Sequence, residues 1–359
     1  MLRIAVDAMG ADGAPRVEVE GVVSAVRAQN LSGDLSVILV GDEVRVRREL
    51  ESLGAAGDPR ITLRHAPEVI TMDDAPSMAV KQKKQSSMRI CFDLVKAKEA
   101  DAVVSAGNSG AMMACGLFVL GRLPGVERPA IVTSLPTKLS ECALLDMGAN
   151  VDPKATTMTQ WAVMGSVYAR LLHGKARPRV GLLSNGSEAH KGTVLTRETH
   201  QLLLNARGAA VDFDYLGYVE GREVFRGDVD VVVTDGFTGN VVLKSVEGAA
   251  EVMMSMVREE VGRAGWLAKL GAALMIKPLR VLKHRTDYAE YGGAPLVGVD
   301  GVALICHGGS NARAMATAVR VAARFAQSGL GAETTAAIAK HSFLWGATAR
   351  PLTAVEGAS

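Results

Sequence analysis

A basic, hydroxyl-rich segment followed by a glycine-rich loop is the part of the chain whose residue types most readily suggest chemistry. Its basic and hydroxyl side chains are Ser77, Lys81, Lys83, Lys84, Ser86, Ser87 and Arg89. An apolar strand predicted over 102–105 then enters Gly107-Asn108-Ser109-Gly110 and an apolar helix. Such a helix N-terminus presents free backbone N–H groups and partial positive charge, which favours an anion. With the basic cluster beside it, the loop predicts a phosphate site, while Asn108 or Ser109 could instead be only the N-cap.

Five further loops share this composition of Gly, Asn, Asp and Ser. They read DAMGADGAP (7–15), DMGAN (146–150), SNGSEAHKG (184–192), TDGFTGN (234–240) and CHGGSN (306–311). Ligands of parallel α/β sheets bind at the carboxyl ends of the strands, so we expect all six loops on one sheet edge. Turn chemistry accounts for part of this composition but does not require Lys191, Lys244 or His307 beside the loops. The pattern predicts a polar, glycine-lined crevice.

Apolar runs that alternate with helical segments predict the fold. The predicted strands lie at 2–6, 35–40, 61–63, 102–105, 131–133, 143–145, 180–183, 229–234 and 302–306. The clearest predicted helices lie at 154–172, 193–205, 241–261 and 312–328. Short, nearly continuous apolar strands between helices indicate an α/β fold with a mainly parallel, doubly wound sheet and helices on both faces.

Composition excludes several classes of protein. The 359 residues are 48% hydrophobic and 22% charged, with a net charge of +2 and only 4% aromatics, which argues against a nucleic-acid partner. Four cysteines without a CxxC pair predict a reduced, cytoplasmic protein.

The first ten residues do not resemble a secretory signal. The uncharged stretch 102–121 has the length of a membrane span, but its glycines and Asn108 favour a strand, a turn and a buried helix.

Familiar cofactor and nucleophile motifs are absent from the sequence. It contains no GxGxxG, no GxxxxGK[ST] and no GxSxG. Cys306 and His307 are adjacent in a predicted strand and would point to opposite faces, so they do not suggest a thiol nucleophile with its base. The histidines show no spacing typical of metal ligands, so we do not expect a metal site.

Taken together, the loops resemble those of the bacterial phosphate acyltransferases, the acyl-carrier-protein:phosphate transacylases. The matching segments follow one another over nearly the whole chain: DAMGADGAP (7–15), DDAPSMAVKQKKQSSM (73–88), DAVVSAGNSGAM (101–112), RPA (128–130), LLDMGAN (144–150), MGSVYA (164–169), SEAHKG (187–192), VEGREVFRGDVDVVVTDGFTGNVVLKSVEG (219–248), YGGAPLVGVDG (291–301) and HGGSNARA (307–314). Ala11, Ser109 and the segment SNGSE (184–188) depart from the usual pattern.

The resemblance implies a fold like that of phosphate acetyltransferases and isocitrate-dehydrogenase-like proteins. It implies a homodimer that transfers a fatty acyl group from acyl carrier protein to inorganic phosphate, without a cofactor, in phospholipid biosynthesis. The acyl phosphate would then serve a membrane glycerol-3-phosphate acyltransferase. The enzyme would be cytoplasmic and peripherally associated with the inner face of the cell membrane.

We assign site residues to this reaction as hypotheses. Lys84, Arg89 and Gly107–Gly110 would hold phosphate, and Asn108, Asn240 or His307 would donate to the oxyanion. Lys191 or Lys244 would offset negative charge. Asp7, Asp146 and Asp235 would orient loops. The expected catalytic residues are Lys191, His307 and Asn240, and the expected substrate-binding residues are Lys84, Arg89, Ser105, Gly107, Asn108, Ser109, Gly110, Asp235, Lys244 and Ser310. For each lysine the alternative is a solvated surface charge, and for His307 a structural hydrogen bond.

The region 251–285 predicts a helical hairpin that protrudes from a single catalytic domain of residues 1–345, with a tail at 346–359. Apolar residues recur at helical spacing in two stripes, with a break at Gly262 and Gly265 and basic residues around the second stripe. A basic amphipathic helix with a tryptophan suits an anionic membrane surface. The predicted membrane contacts are Trp266, Leu267, Leu270 and Leu274. Packing in the core or the dimer interface, or docking of an acidic carrier protein, are the alternatives.

Two other functions were weighed against acyl transfer. A hydride-transfer dehydrogenase on a related fold would not need the GxGxxG motif, but the sequence shows no obvious set of metal-binding carboxylates. A non-catalytic membrane scaffold is suggested only by the region 251–285.

Overall fold

The computed structural model describes residues 1–28, 35–188, 190–266, 271, 274–275 and 292–346. Its strands are β1 (Leu2–Asp7), β2 (Leu35–Gly41), β3 (Ile61–His65), β4 (Ala102–Ser105), β5 (Ala130–Pro136), β6 (Glu141–Leu145), β7 (Arg179–Leu183), β8 (Asp214–Val219), β9 (Val231–Val233), β10 (Ala294–Val297) and β11 (Val302–Ile305). They form one 11-stranded sheet in the order β3-β2-β1-β4-β11-β10-β5-β6-β9-β7-β8.

The helices connect these strands on both sides of the sheet. They are α1 (Arg16–Arg27), α2 (Glu43–Ser52), α3 (Pro76–Gln82), α4 (Ser87–Lys96), α5 (Ser109–Cys115), α6 (Ala155–Leu172), α7 (Val194–Leu204), α8 (Gly236–Arg263), α9 (Ala312–Gln327) and α10 (Leu330–Lys340). A π-helical turn, Gly116–Leu120, continues α5.

Two hydrophobic cores lie on opposite faces of the sheet, as alternation along a strand requires. Ile4 and Val6 of β1 belong to the core that contains the buried faces of α1, α6 and α9. Ala5, between them, belongs to the core under α3, α4 and α5. Because both faces are covered, the central strands are nearly continuous apolar runs, whereas the edge strands β3 and β8 are partly exposed. The predicted doubly wound α/β fold is confirmed.

The sheet reverses its strand direction near the middle. β3, β2, β1, β4 and β11 are parallel, but β10 is antiparallel to both β11 and β5, and β5 is antiparallel to β6. Beyond that point β6, β9, β7 and β8 are again mutually parallel. The β6–β8 group therefore runs opposite to the β3–β11 group.

This reversal makes one prediction wrong. The loops at 7–15, 105–110 and 306–311 leave one end of the strands, whereas the loops at 146–150, 184–192 and 234–240 leave the other end. The sequence pattern did not show that the predicted strands 131–133 and 143–145 pair antiparallel, and this β5–β6 pairing reverses the sheet. β10, which the pattern did not predict, is four residues long and contains Pro295; being antiparallel to both neighbours, it leaves β11 and β5 running the same way. The six loops consequently form two groups rather than one crevice.

Helix α8 is the most exposed long element. It spans 28 residues, of which only Gly236 and Gly239 are buried. The helix ends at Arg263, close to the predicted break, and Trp266 and Leu274 beyond it are exposed. Leu267, Leu270 and most of the predicted second arm of the hairpin lie outside the described residues, as does the tail after residue 346. In the described part of the chain, no helix is both long and apolar enough to cross a membrane.

Candidate active site

The first loop group brings three backbone segments into close approach at the ends of β1, β4 and β11. A Cβ added to Gly10 would lie 2.7 Å from the Gly107 nitrogen, and a Cβ added to Gly107 would lie 2.8 Å from Cε of Met88. On the other side, the Asp12 N–H donates to the Gly308 carbonyl at 2.9 Å. Because Gly10 meets backbone, only glycine permits such a contact at position 10, and the 7–13 loop is held between its two neighbours.

Helix N-termini point into the same region. α4 begins at Ser87, whose hydroxyl bonds Asp7, and α9 begins at Ala312 behind the 306–311 loop. α5 begins at Ser109, which is exposed, with Gly110 following it. The Ser86 side chain makes no capping hydrogen bond to α4. The Ser87 N–H of α4 donates to the Glu68 carbonyl at 3.1 Å. α5 and α9 follow the neighbouring strands β4 and β11, so their first turns lie at the same end of the sheet, an arrangement that favours an anion.

The buried carboxylate of Asp7 accepts hydrogen bonds from residues of the first loop group. The Ser105 hydroxyl donates to Oδ2 of Asp7 at 2.7 Å and accepts the Gly107 N–H at 3.1 Å. Burial raises the pKa of Asp7, while the hydrogen bonds from Ser105, Ser87 and the Met9 N–H oppose that shift. Ser105 is fully buried and engaged on both sides, so its role is to connect β1 to the 105–110 loop rather than to contact a substrate.

The Asn108 side chain fastens the 71–74 segment to the start of α5. Its Oδ1 accepts the Ala111 N–H at 3.1 Å, which confirms the N-cap alternative. Its Nδ2 donates to the carbonyls of Thr71, Met72 and Asp74 at 3.2, 3.3 and 3.2 Å. Because both amide atoms are engaged, Asn108 does not fit the predicted role of oxyanion donor.

His307 lies exposed on the rim of the first group. Its Nδ1 accepts the Gly309 N–H at 3.1 Å, and its carbonyl accepts the N–H of the buried Ser310. Gly308 packs beside Met72 and Asp12. His307 is therefore placed where it could reach an anion bound at the helix N-termini.

Of the two predicted phosphate-binding cations here, one is paired and one is exposed. The Arg89 guanidinium pairs with Asp93 at 3.1 Å and donates to the Val80 carbonyl. Lys84 is exposed and forms no ion pair within the described residues. The neighbouring Lys83, by contrast, pairs with Asp74 at 2.5 Å.

The second loop group is organised around Asp146. This buried carboxylate accepts the N–H groups of Ile131, Ala149 and Asn150 at 2.9, 3.2 and 2.6 Å. Burial raises the pKa of Asp146, and these N–H donors oppose that shift. Gly239 packs so tightly that an added Cβ would overlap the Asp146 carbonyl. The expectation that Asp146 orients a loop is confirmed.

The predicted site residues of the second group line its outer surface. Asp235 is the N-cap of α8, accepting the Thr238 N–H at 2.9 Å and its hydroxyl at 2.7 Å. Asn240 is exposed beside Gly148, and Lys191 lies over Gly186. Lys244 is half exposed and pairs with Glu247 at 2.8 Å, as a surface charge would. Within the described residues, no group of three His, Cys, Asp or Glu side chains could hold a metal ion.

Comparison with known proteins identifies the family. A family model described as "Fatty acid synthesis protein" matches residues 2–332. "Phosphate acyltransferase" of Geobacter sulfurreducens is 52% identical over 329 residues, which cover 92% of each chain, and that of Geotalea uraniireducens is 53% identical with the same coverage. The chain belongs to the phosphate acyltransferase family.

Solved structures show the same fold at low sequence identity. A phosphotransacetylase from Streptococcus pyogenes is 18% identical, with a TM-score of 0.59, and covers 91% of this chain and 94% of its own. The EutD phosphotransacetylase from Staphylococcus aureus is 16% identical, with a TM-score of 0.55, and the match covers 90% and 94% of the two chains. The predicted likeness to phosphate acetyltransferases is confirmed at the level of the fold.

Membership of the phosphate acyltransferase family makes the chain an acyltransferase and favours acyl transfer over the dehydrogenase and scaffold alternatives. The three expected catalytic residues divide between the two loop groups: His307 follows β11, whereas Lys191 and Asn240 follow β7 and β9, which run in the opposite direction. Sequence reasoning included Ser87 in the basic, hydroxyl-rich segment without a role of its own, and it missed Glu18; both are buried beside the 7–13 loop. In the sequence, Glu18 is indicated only as a glutamate among the apolar positions of the helix that follows the 7–13 loop.

Proposed function

We propose that this phosphate acyltransferase converts an acyl-[acyl carrier protein] and inorganic phosphate into acyl phosphate and free carrier protein, for phospholipid biosynthesis. A phosphate oxygen attacks the thioester carbonyl, so that a C–O bond forms while the C–S bond breaks. The carrier sulfur leaves as a thiolate and takes a proton from solvent. Because phosphate is already anionic and a thiol has a pKa of about 8.5, the reaction requires neither a strong base nor a strong acid.

The observation that carries the proposal is the convergence of helix N-termini and glycine loops in the first group. Two demands remain once acid–base catalysis is unnecessary: anionic phosphate must be held, and the oxyanion must be stabilised. Positioning can supply about 7–11 kcal/mol, and one oriented donor about 3 kcal/mol. We assign phosphate to the N–H groups at Ser109 and Gly110, with Lys84 as a nearby cation and His307 as the oxyanion donor.

The second group then receives a different role. Lys191 and Asn240 follow strands that run opposite to β11, which supports a role for them apart from that of His307. The prosthetic arm of a carrier protein separates its body from the thioester, so the body can contact a remote surface. We assign Lys191 and Asn240 to contacts with the carrier protein, whose acidic surface suits a lysine.

We further propose a homodimer in which α8 contributes to the interface. Apolar side chains on this helix are 46–66% exposed at Val241, Val252, Met253, Met256 and Val257. A helix with so much exposed apolar surface gains stability by packing against a second copy.

A peripheral membrane location is proposed for the region beyond α8. Trp266 and Leu274 are 72% and 78% exposed. An exposed tryptophan and leucine, followed in the sequence by basic residues, suit an anionic bilayer surface. A fatty acyl phosphate must also reach a membrane glycerol-3-phosphate acyltransferase, so this cytoplasmic enzyme would act at the inner face of the cell membrane.

Phosphate-dependent release of free carrier protein from acyl carrier tests the proposal directly. Carrier release without phosphate, or its absence with phosphate present, would overturn it. The division of roles is tested by steady-state kinetics of His307→Ala and Lys191→Ala. We expect His307→Ala to lower kcat and Lys191→Ala to raise mainly the KM for acyl carrier. The reverse pattern would exchange the two loop groups.

A further inference from the structure

Glu18 is a carboxylic acid buried directly beneath the 7–13 loop. It lies on α1 and is completely inaccessible to solvent. Its Oε1 accepts the Ala11 N–H at 2.7 Å, whereas its Oε2 is buried and has no hydrogen-bond partner among the described residues. Burying a carboxylate oxygen without a hydrogen-bond donor costs free energy, so its presence here needs a physical reason.

The surroundings of Glu18 favour a proton on it. Burial raises the pKa of Glu18 to about 7, the Ala11 N–H opposes that shift, and the nearby Asp7 carboxylate reinforces it. The buried Cys306 thiol also faces Glu18 from the end of β11. The exposed or partly exposed charged groups on elements packed against α1 are Glu43, Arg45, Arg47, Arg48, Glu49 and Glu51 on α2 and Arg313, Arg320 and Arg324 on α9.

The atom that Glu18 holds belongs to the wall of the anion region. Ala11 lies between Gly10 and Asp12. Gly10 leaves no room for a side chain beside the Gly107 nitrogen, and the Asp12 N–H donates to the Gly308 carbonyl. A displacement of the Ala11 N–H would therefore move both neighbours of the 7–13 loop. Bound phosphate would add negative charge above Asp7 and Glu18, which favours protonation of one of them.

We propose that Glu18 is a positioning residue for phosphate: its Oε1 anchors the 7–13 loop through Ala11, and its Oε2 takes up a proton from solvent when the anion binds. This inference rests on the proposed function, because it assumes that phosphate occupies the first loop group. It assigns no covalent step to Glu18.

Calorimetric binding of inorganic phosphate at pH 6.0–8.5 tests both halves of the inference. Glu18→Gln retains an acceptor for Ala11 and mimics the protonated acid, whereas Glu18→Ala removes the anchor. Wild type and Glu18→Gln should bind phosphate equally at pH 6, and Glu18→Gln should bind about 5-fold more tightly at pH 8.5. The ionisation of phosphate itself cancels in this ratio. Glu18→Ala should bind more weakly than Glu18→Gln throughout, and Glu20→Gln on the exposed side of α1 should match wild type.

Kinetics should show the same split. With acyl carrier saturating, Glu18→Gln should change the KM for phosphate with pH relative to wild type, while kcat stays within about 2-fold, because the residue acts on ground-state binding. A wild-type to Glu18→Gln ratio that does not vary with pH would overturn proton uptake. Equal affinities of Glu18→Ala and Glu18→Gln would overturn the anchor.

Thermal unfolding without phosphate provides a readout that does not depend on the reaction. A raised pKa in the folded state makes wild type lose stability as pH rises from about 4.5 to about 7, so the Tm of Glu18→Gln minus that of wild type should grow over this range. A constant difference would contradict an ionising Glu18. Phosphate binding without turnover would overturn the proposed function alone. If no phosphate bound at any pH, both the proposed function and the inference about Glu18 would be overturned.

Discussion

At the scale of single residues, buried side chains in both loop groups hold backbone in place. Asp7 and Asp146 each accept several hydrogen bonds from the loops above them. Asn108 connects three carbonyls to the first turn of α5. Such groups contribute to function by fixing glycine loops whose own residues have no side chains with which to anchor them.

Asn108→Ala should be destabilising. It removes an N-cap and leaves the carbonyls of Thr71, Met72 and Asp74 without their donor, so we expect a loss of about 1–3 kcal/mol in the free energy of unfolding. Urea denaturation measures this loss. Ser109→Ala, next to it but exposed, should stay within about 0.5 kcal/mol. A normally stable Asn108→Ala with reduced kcat would instead support a catalytic amide.

Asp230 predicts a pH dependence of stability at the start of β7 and β9. Burial alone would raise its pKa, but hydrogen bonds from Arg179 and from Lys175 outweigh burial and lower the pKa to about 2. Because the folded-state pKa is below the usual 3.8, this contribution is present above pH 3.8 and is lost as pH falls toward 2.

Arg179→Met should therefore cost about 1.5–3 kcal/mol at pH 7 and flatten the acid branch of the stability curve. Urea midpoints between pH 2 and pH 7 measure both effects. Arg177→Met is the matched control, since Arg177 pairs with Asp214 where both side chains are about half exposed. Parallel acid branches for Arg179→Met and wild type would disprove the assignment.

At the scale of elements, α8 differs from the other helices because its apolar side chains face solvent. Most helices here bury an apolar face against the sheet, as α9 does with Met315, Val319 and Phe325. In α8, Gly236 and Gly239 allow close packing of the first turn on Asp146, and Val242 and Leu243 of the second turn pack partly against the core. The later turns leave Val252, Met253, Met256 and Val257 exposed to a partner or a surface.

Met253→Glu with Met256→Glu should convert a dimer to a monomer. Both side chains are at least 60% exposed in the single chain, so the substitutions should leave the monomer fold intact while charging the proposed interface. Light scattering at micromolar concentration measures the mass. Arg258→Glu, on the same helix, is the control. A monomeric wild type would remove the basis of the proposal.

Trp266→Glu with Leu274→Glu should abolish co-sedimentation with anionic vesicles and preserve turnover in solution. Two exposed apolar side chains are replaced by charges that an anionic surface repels, so binding should fall without a change in folding. Neutral vesicles provide the control for electrostatic attraction. Undiminished vesicle binding by the double variant would place the membrane contact elsewhere.

At the scale of the whole molecule, the antiparallel β5–β6 pair decides where chemistry can occur. It reverses the sheet, so the loops after β1, β4 and β11 leave one end of their strands and the loops after β6, β7 and β9 leave the other. One chain can thus hold phosphate at one end of its strands and present Lys191 and Asn240 at the other.

Activity should survive removal of divalent metals. The proposed mechanism uses N–H donors and cations of the protein for charge stabilisation, so carrier release in chelator should match that in buffer. Release should still depend on phosphate. Strong inhibition by chelator, reversed by one added metal ion, would contradict a metal-free mechanism.

Sequence patterns by themselves determined the layered α/β fold, nearly all strand positions and the glycine loops. Short apolar runs between helices have few other solutions. β8 escaped notice because Gly217 interrupts it and its burial alternates, as suits a strand at the sheet edge. The family resemblance supplied the expected reaction.

Tertiary structure alone decided which loops meet. Strand direction depends on pairing: β10 is antiparallel to both β11 and β5 and leaves those two running the same way, whereas the antiparallel pairing of β5 with β6, such as Val132 with Leu145, reverses the sheet. Apolar runs show where strands lie but not how they pair. For the same reason, only packing revealed that Asn108 and Ser105 are engaged internally and that Glu18 lies beneath the 7–13 loop with one oxygen unpartnered.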